Sequence, residues 1–280
     1  MALLQKGYLG STPLWKNVDW FEESYTLVNS SAEVSLTANT SAHTKGSYSE
    51  LIASSSANAG LLVLMVQDIN TAATNTATLI DIATGASGSE TVIISNLAVG
   101  GALTTTGPTG LCVAVPFKIA SGTRLAARIQ SVVTGGKTAT AQVFLLDVGG
   151  DYATAPTSVD VITGDTATSQ GISFSGASGT WVQAIASTSR AYRAVAFVPS
   201  THNSNIATIN PQFDIGVGAS GSEQTFGVSI ANYNANEFVQ SSPPYLSLFG
   251  RNIPSGSRLA VKHNIATNPD RYGFCLIGIP

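Results

Sequence analysis

Two carboxylates and two cations recur together in this chain. Asp81 and Glu90 bracket the stretch Gly85-Ala86-Ser87-Gly88-Ser89, and Asp214 and Glu223 bracket Gly218-Ala219-Ser220-Gly221-Ser222 in the same way. Calcium takes about 6–8 oxygen ligands. Each group offers two carboxylates with hydroxyls and carbonyls, so an ion site is one chemistry this spacing allows. The simpler one is a tight strand connection, its glycines free to take positive φ. Arg124 and Arg128 follow the turn Ser121-Gly122, and Arg258 and Lys262 follow Ser255-Gly256. Side chains alternate along a strand. Leu125, Ala127 and Ile129 therefore oppose Arg124, Ala126 and Arg128, while Leu259 and Val261 oppose Arg258 and Lys262. Each strand offers two cations on its open face, available to solvent, to carboxylates of the same domain, or to an acidic partner surface or anionic glycan.

Catalytic signatures are missing from the sequence. The three histidines, His43, His202 and His263, form no metal-ligand spacing such as His-Glu-x-x-His. There is no Gly-x-Ser-x-Gly elbow and no phosphate-binding glycine loop. A glycosidase carboxylate pair comes together only in space, but the acidic residues here cluster near turns. No catalytic, cofactor or metal residue is assigned, and the chain is expected to be non-enzymatic.

The elements that must position these groups come from a duplication. Asp81–Glu90 falls on Asp214–Glu223 at an offset of 133, with eight of ten residues identical. The same offset sets Gly46–Ser56 on Gly179–Ser189 with five of eleven identical, Tyr48 facing Trp181. An offset of 134 sets Ile119–Arg128 on Ile253–Lys262 with six of ten identical. A period of this length is a whole domain, not a solenoid repeat. Short apolar runs separated by Ser, Thr, Gly and Asn clusters predict strands and turns. In the first copy they are Leu61–Val66, Thr91–Ser95, Leu111–Phe117, Thr123–Gln130 and Gln142–Leu146; Leu61–Val66 reads as a strand buried on both faces. In the second they are Ala191–Val198, Thr225–Ile230, Tyr245–Phe249, Ser257–His263 and Tyr272–Ile279. No stretch carries a capped helical period. The fold expected is all-β: two tandem antiparallel β-sandwich domains, with the jelly roll among the compatible topologies. The divisions are an N-terminal arm (1–24), domain 1 (25–147), a Gly- and Pro-containing linker (148–156) and domain 2 (157–280).

Only 10% of the 280 residues are charged, against roughly 25% in an ordinary globular protein. A net charge of −3 gives no footprint for nucleic acid or an anionic membrane. So weakly charged a surface suits a chain that lives inside an assembly. Cys112 and Cys275 lie in apolar runs at non-equivalent repeat positions and read as buried free thiols. The start Met1-Ala2-Leu3-Leu4-Gln5-Lys6 does not read as a signal peptide, and no apolar run approaches the roughly 20 residues of a membrane helix. The arm holds Trp15 and Trp20, either as cover for the first core or as aromatic anchors on a neighbouring subunit.

The segment Ile253-Pro254-Ser255-Gly256-Ser257-Arg258-Leu259-Ala260-Val261-Lys262, with its first-copy counterpart, resembles a motif of structural proteins of tailed bacteriophages. The Ala/Ser/Thr/Gly-rich composition is similar to that of capsid decoration (cement) proteins. The resemblance implies a virion structural protein made in the host cytoplasm, without a cofactor. Its partners would be the major capsid protein or other virion subunits, in a homo-oligomer for which a trimer is expected. Trp15, Trp20, Arg124, Arg128, Arg258 and Lys262 are the candidate partner contacts. The alternative is a tail or fibre component or a carbohydrate-binding β-sandwich presenting Tyr48, Trp181, Tyr233 or Tyr245 to sugars.

Overall fold

A computed structural model of the chain describes residues 25–67, 78–99, 111–148, 153–164, 166–167, 171–201, 209–231, 233–234, 237–238 and 247–280. The arm, with Trp15 and Trp20, lies outside the described residues, as does Tyr245. Domain 1 contributes β1 (Tyr25–Ser30), β2 (Val34–Thr37), β3 (Ser49–Ile52), β4 (Ala59–Gln67), β5 (Thr78–Thr84), β6 (Thr91–Val99), β7 (Leu111–Ile119), β8 (Leu125–Ser131) and β9 (Thr138–Val148). Domain 2 contributes β10 (Asp160–Ile162), β11 (Ile172–Ser173), β12 (Trp181–Ile185), β13 (Tyr192–Thr201), β14 (Gln212–Val217), β15 (Gln224–Ile230), β18 (Ser247–Ile253), β19 (Leu259–His263) and β20 (Tyr272–Ile279), with a small hairpin of β16 (Tyr233–Asn234) and β17 (Glu237–Phe238).

In domain 1 one sheet runs β1-β9-β4-β7, with β2 continuing β1 along β9, and the other runs β3-β8-β5-β6. In domain 2 the sheets run β10-β20-β13-β18, with β11 continuing β10 along β20, and β12-β19-β14-β15. Strand for strand these are the same order. With the split first strand counted once, each domain has eight strands. The first pairs the last, the second the seventh, the third the sixth and the fourth the fifth. That is one long hairpin folded over on itself, which is a jelly roll. The repeat is therefore a duplication of topology as well as of sequence.

The two cores are filled differently. Phe174, Phe197, Phe213 and Phe274 interlock in domain 2, with ring centroids 4.8 Å apart for Phe197–Phe213 and Phe174–Phe274 and 5.0 Å for Phe174–Phe213. By the repeat, Leu64, Ile80 and Ala141 stand where Phe197, Phe213 and Phe274 do, so domain 1 is aliphatic there. Phe213 comes from β14 and Phe274 from β20, so these rings define the inward side of both sheets. Cys275, Ile277 and Ile279 then point outward from β20. They are nevertheless fully buried, because the end of β6 crosses that face and touches β10, β13 and β20. Ala98 packs there, its backbone bonded by the Cys275 thiol. A Cβ added at Gly171 (φ +73) would sit 2.9 Å from the Ala98 Cβ. Gln130 Nε2 donates to Thr166 O across the same contact at 2.8 Å.

Several expectations are corrected. Leu61–Val66 is not buried on both faces: Val63 and Met65 are half-buried, since nothing among the described residues crosses the outer face of their sheet as β6 does in domain 2. Cys275 is a buried thiol, but Cys112, also outside any disulfide, is only half-buried, its residue paired with Met65 on that open face. β9 reaches Val148, so domain 1 takes the first residue assigned to the linker; further on, Lys118 N–H donates to Pro156 O at 2.8 Å. The glycine stretches Gly85–Ser89 and Gly218–Ser222 are the tight strand connections expected, following β5 and β14, which were not among the expected strands.

Candidate interaction face

The repeated motifs converge on the outer faces of the β3-β8-β5-β6 and β12-β19-β14-β15 sheets. At the β5–β6 turn Gly85 takes φ +109 and Gly88 φ +82; at β14–β15 Gly218 takes φ +133 and Gly221 φ +82. A side chain at Gly85 would meet Ser89 O at 2.8 Å, and one at Gly218 would meet Ser222 O at 2.9 Å. The Gly88 N–H donates to Glu90 Oε2, and the Gly221 N–H to Glu223 Oε2, both at 2.9 Å. The Glu thus closes the turn from inside.

Arginine then ties this turn to the neighbouring strand. Arg124 Nη1 donates to Gly85 O at 3.1 Å and to Glu90 Oε1 at 3.2 Å, and its Nε to Glu50 at 2.8 Å. Arg258 Nη1 donates to Gly218 O at 3.2 Å and Glu223 Oε1 at 2.7 Å, and its Nε to Gln183, the counterpart of Glu50, at 2.9 Å. The two best-matched repeat blocks are therefore halves of one lock. Burial pushes the Glu90 and Glu223 carboxyls up, but the turn amides and the arginines outweigh it and hold both below the usual range.

A second ladder lies one strand pair further along. Asp81 and Arg128 face each other across β5 and β8, and Asp214 and Lys262 across β14 and β19. Asp81 accepts from Lys45 Nζ at 2.8 Å, Arg128 Nε at 2.9 Å and the Asn96 N–H at 2.8 Å, where Asn96 turns to φ +53. Burial pulls the Lys45 ammonium down, against the pull of Asp81. Lys262 Nζ lies 2.7 Å from Asp214 Oδ2. Burial raises the Asp214 carboxyl, yet Lys262 and Gln212 bring it below its usual value. Arg128 stands 4.5 Å from the Tyr48 ring centroid and Lys262 5.0 Å from that of Trp181. The Trp181 ring rests on β14, where a Cβ at Gly216 would come within 2.6 Å of it.

All four candidate cations, Arg124, Arg128, Arg258 and Lys262, are thus brought together with carboxylates of their own domain. Asp81, Glu90, Asp214 and Glu223, weighed as ion ligands, accept from these cations, and no group of three or more His, Cys, Asp or Glu is arranged to hold a metal among the described residues. Tyr48 and Trp181 share one structural position, half-buried beside a cation. Tyr233 lies in β16, where only the backbone is described. What sequence reasoning missed was the partners: Glu50 and Gln183 carry no local signal, because only the β3–β8 and β12–β19 pairings bring them beside Arg124 and Arg258, and Lys45 reaches Asp81 from the segment before β3.

Other polar groups have structural partners. His263 is buried beside Phe174, its Nδ1 accepting from the Ile265 N–H at 3.3 Å and its Nε2 3.4 Å from Ser175 O. Burial holds it below the usual histidine value against those two contacts. Asp160 accepts from the Tyr192 hydroxyl at 2.9 Å and from Arg190 Nε and Nη2 at 2.8 Å; burial, then Asp160, pushes the Tyr192 phenol up to about 12. Burial raises the thiols to about 11 for Cys112 and about 12 for Cys275, so neither is an activated nucleophile. A depression of about 270 Å³ beside β14 is lined by Ile209, Pro211, Asn264, Ile265, Thr267 and Tyr272, with no carboxylate, histidine, lysine or arginine in its lining. No helix among the described residues is long and apolar enough to cross a membrane.

A scan against protein-family models finds no match, and a search of curated proteins finds none. Among solved structures the chain has a low-level likeness to the N-terminal CBM22-1–CBM22-2 tandem domain of Xyn10C from Paenibacillus barcinonensis. Identity is 9% and the TM-score 0.24, over 92% of this chain and 91% of that one.

Proposed function

We propose that this chain is a non-catalytic structural protein of a viral particle, a decoration protein that binds the outer shell and stabilises it. The observation that carries the reading is how the chemistry-bearing residues are used. In both domains the repeated acids and cations bond one another and fix the turns to the sheets, leaving a stiff pair of sandwiches. The motif resemblance and the 10% charge content supply the virion context. A protein that binds only the assembled shell stabilises it by mass action, and a homo-oligomer, with a trimer the working expectation, multiplies weak contacts. Trp15 and Trp20 of the arm are the proposed anchors. Cosedimentation of the purified chain with undecorated shells tests this. Full-length chain pelleting with shells, and loss of pelleting on deletion of residues 1–24 with both domains still folded, is the result expected. No cosedimentation of the full chain contradicts it.

A second reading is favoured by one observation. Tyr48 and Trp181 occupy matching places on the outer sheet faces, where a sugar could stack. Glycan-array binding that disappears in Trp181→Ala would move the function to a carbohydrate-binding module.

A further inference from the structure

Among the described residues β6 of domain 1 meets β10, β13 and β20 of domain 2, and the duplication supplies both halves of that contact a second time. Sheet register sets the equivalence. Ala98 of β6 pairs with Leu79, and Ile230 of β15 pairs with Gln212, the repeat counterpart of Leu79. Ala98 is 1% exposed because it lies on the outer face of domain 2. Ile230, in the same structural place, is 63% exposed, and Val228, two residues away on the same side of the strand, is 50% exposed. Among the described residues the other exposed large apolar side chains are Leu27 at 54% and Val92 at 37%.

The receiving half is duplicated too. In domain 2 the strands crossed by β6 are β10, β13 and β20. Their counterparts in domain 1 are β1, β4 and β9. On the outer side these carry Leu27, Val63, Met65, Phe144 and Leu146, with Leu27 facing Leu146 and Val63 facing Phe144 in register. Leu27 is 54% exposed and the other four are half-buried. Their domain 2 counterparts on β13 and β20, Ala196, Val198, Ile277 and Ile279, are at most 2% exposed. The unbroken apolar run of β4 carries the pattern of a strand covered on both faces, and none of the described residues of the chain supplies the outer cover.

We infer that a second copy of this chain supplies it: the Val228–Ile230 edge of one copy docks on the Leu27–Val63–Phe144 face of the next, repeating the contact that joins domain 1 to domain 2. The contact is heterologous, so it builds a ring if the rotation closes and a filament if it does not. The inference stands apart from the virion reading, since it needs no shell.

The test is the mass of the full chain by size exclusion with light scattering. Wild type is expected at a multiple of 28.7 kDa, and Ile230→Asp and Phe144→Asp, each with one spoiled face, at 28.7 kDa. Mixing the two variants leaves one intact edge and one intact face. It should give a species of twice 28.7 kDa and nothing larger. A monomeric wild type, an Ile230→Asp variant that stays assembled, or folded variants that fail to pair on mixing overturns the proposal. Should Phe144→Asp not fold, a cross-link decides. Gln142 is the counterpart of Cys275, so Ile230→Cys with Gln142→Cys, in a Cys112→Ser background, should form interchain disulfides that neither single cysteine forms. Their absence also overturns it.

Discussion

Arg258 donates to a backbone carbonyl, a nearly enclosed glutamate and a glutamine on the adjacent strand. Arg124 does the same in the other domain, with Glu50 in place of the glutamine. The strict demand of this lock falls on glycine. Gly218→Ala forces a side chain into φ +133 and against Ser222 O, and should cost about 1–3 kcal/mol, read from urea unfolding. Gly221→Asn should cost less, because φ +82 there meets open space and asparagine tolerates the left-handed region. Equal costs would mean the turn is not the constraint described. The ionisable groups also set a pH dependence. Glu90, Glu223 and Asp214 have folded values below their unfolded ones. Their contribution is complete above about pH 4.5 and is lost as pH falls through the folded values. His263, also lowered, resists a proton that the unfolded chain accepts below about pH 6.5, so stability already falls from there downward. Unfolding midpoints measured between pH 7 and 3 should show both losses, and His263→Gln should flatten the first. An unchanged slope in that variant would remove His263 from the account. The residues of these locks stood out because both copies repeat the same Gly, Glu and Arg, but that the arginine closes on the glutamate emerged only from the fold. The cations' other partners were not, since Glu50 and Arg124 are 74 residues apart and meet only through β3–β8 pairing.

At the level of elements, strand runs and turns were legible wherever an apolar stretch was long and bounded by glycine. β10 and β11 are only three and two residues long and carry no period of their own. β5 and β14 were obscured because each holds a mid-strand aspartate, which alternation reads as polar but which the cross-strand cation neutralises. The jelly-roll order was beyond sequence reasoning, because strand pairing is set in three dimensions while alternation reports only which face a residue takes. Two predictions belong here. Phe213→Ala removes the ring between Phe174 and Phe197 and should destabilise domain 2 by about 3–5 kcal/mol. The aliphatic counterpart change Ile80→Val in domain 1 should cost about 0.5–1.5 kcal/mol. Gly171→Ala strains φ +73 and drives a methyl into Ala98. It should lower the unfolding midpoint and loosen the domain contact, seen as faster hydrogen exchange of the β6 amides; unchanged exchange there would show that Gly171 does not hold that junction.

For the whole molecule, the duplication makes two scaffolds whose ion pairs are internal, while among the described residues apolar side chains stand open at one edge of domain 2 and on one face of domain 1. Such a distribution suits a subunit that is completed by neighbours. The functional reading adds that those neighbours include a viral shell. The copy number of this protein per purified virion, by quantitative mass spectrometry against the major capsid protein, tests that claim most directly. Hundreds of copies in simple ratio to the capsid protein is the result predicted for shell decoration. A handful of copies, or absence from particles, would contradict it.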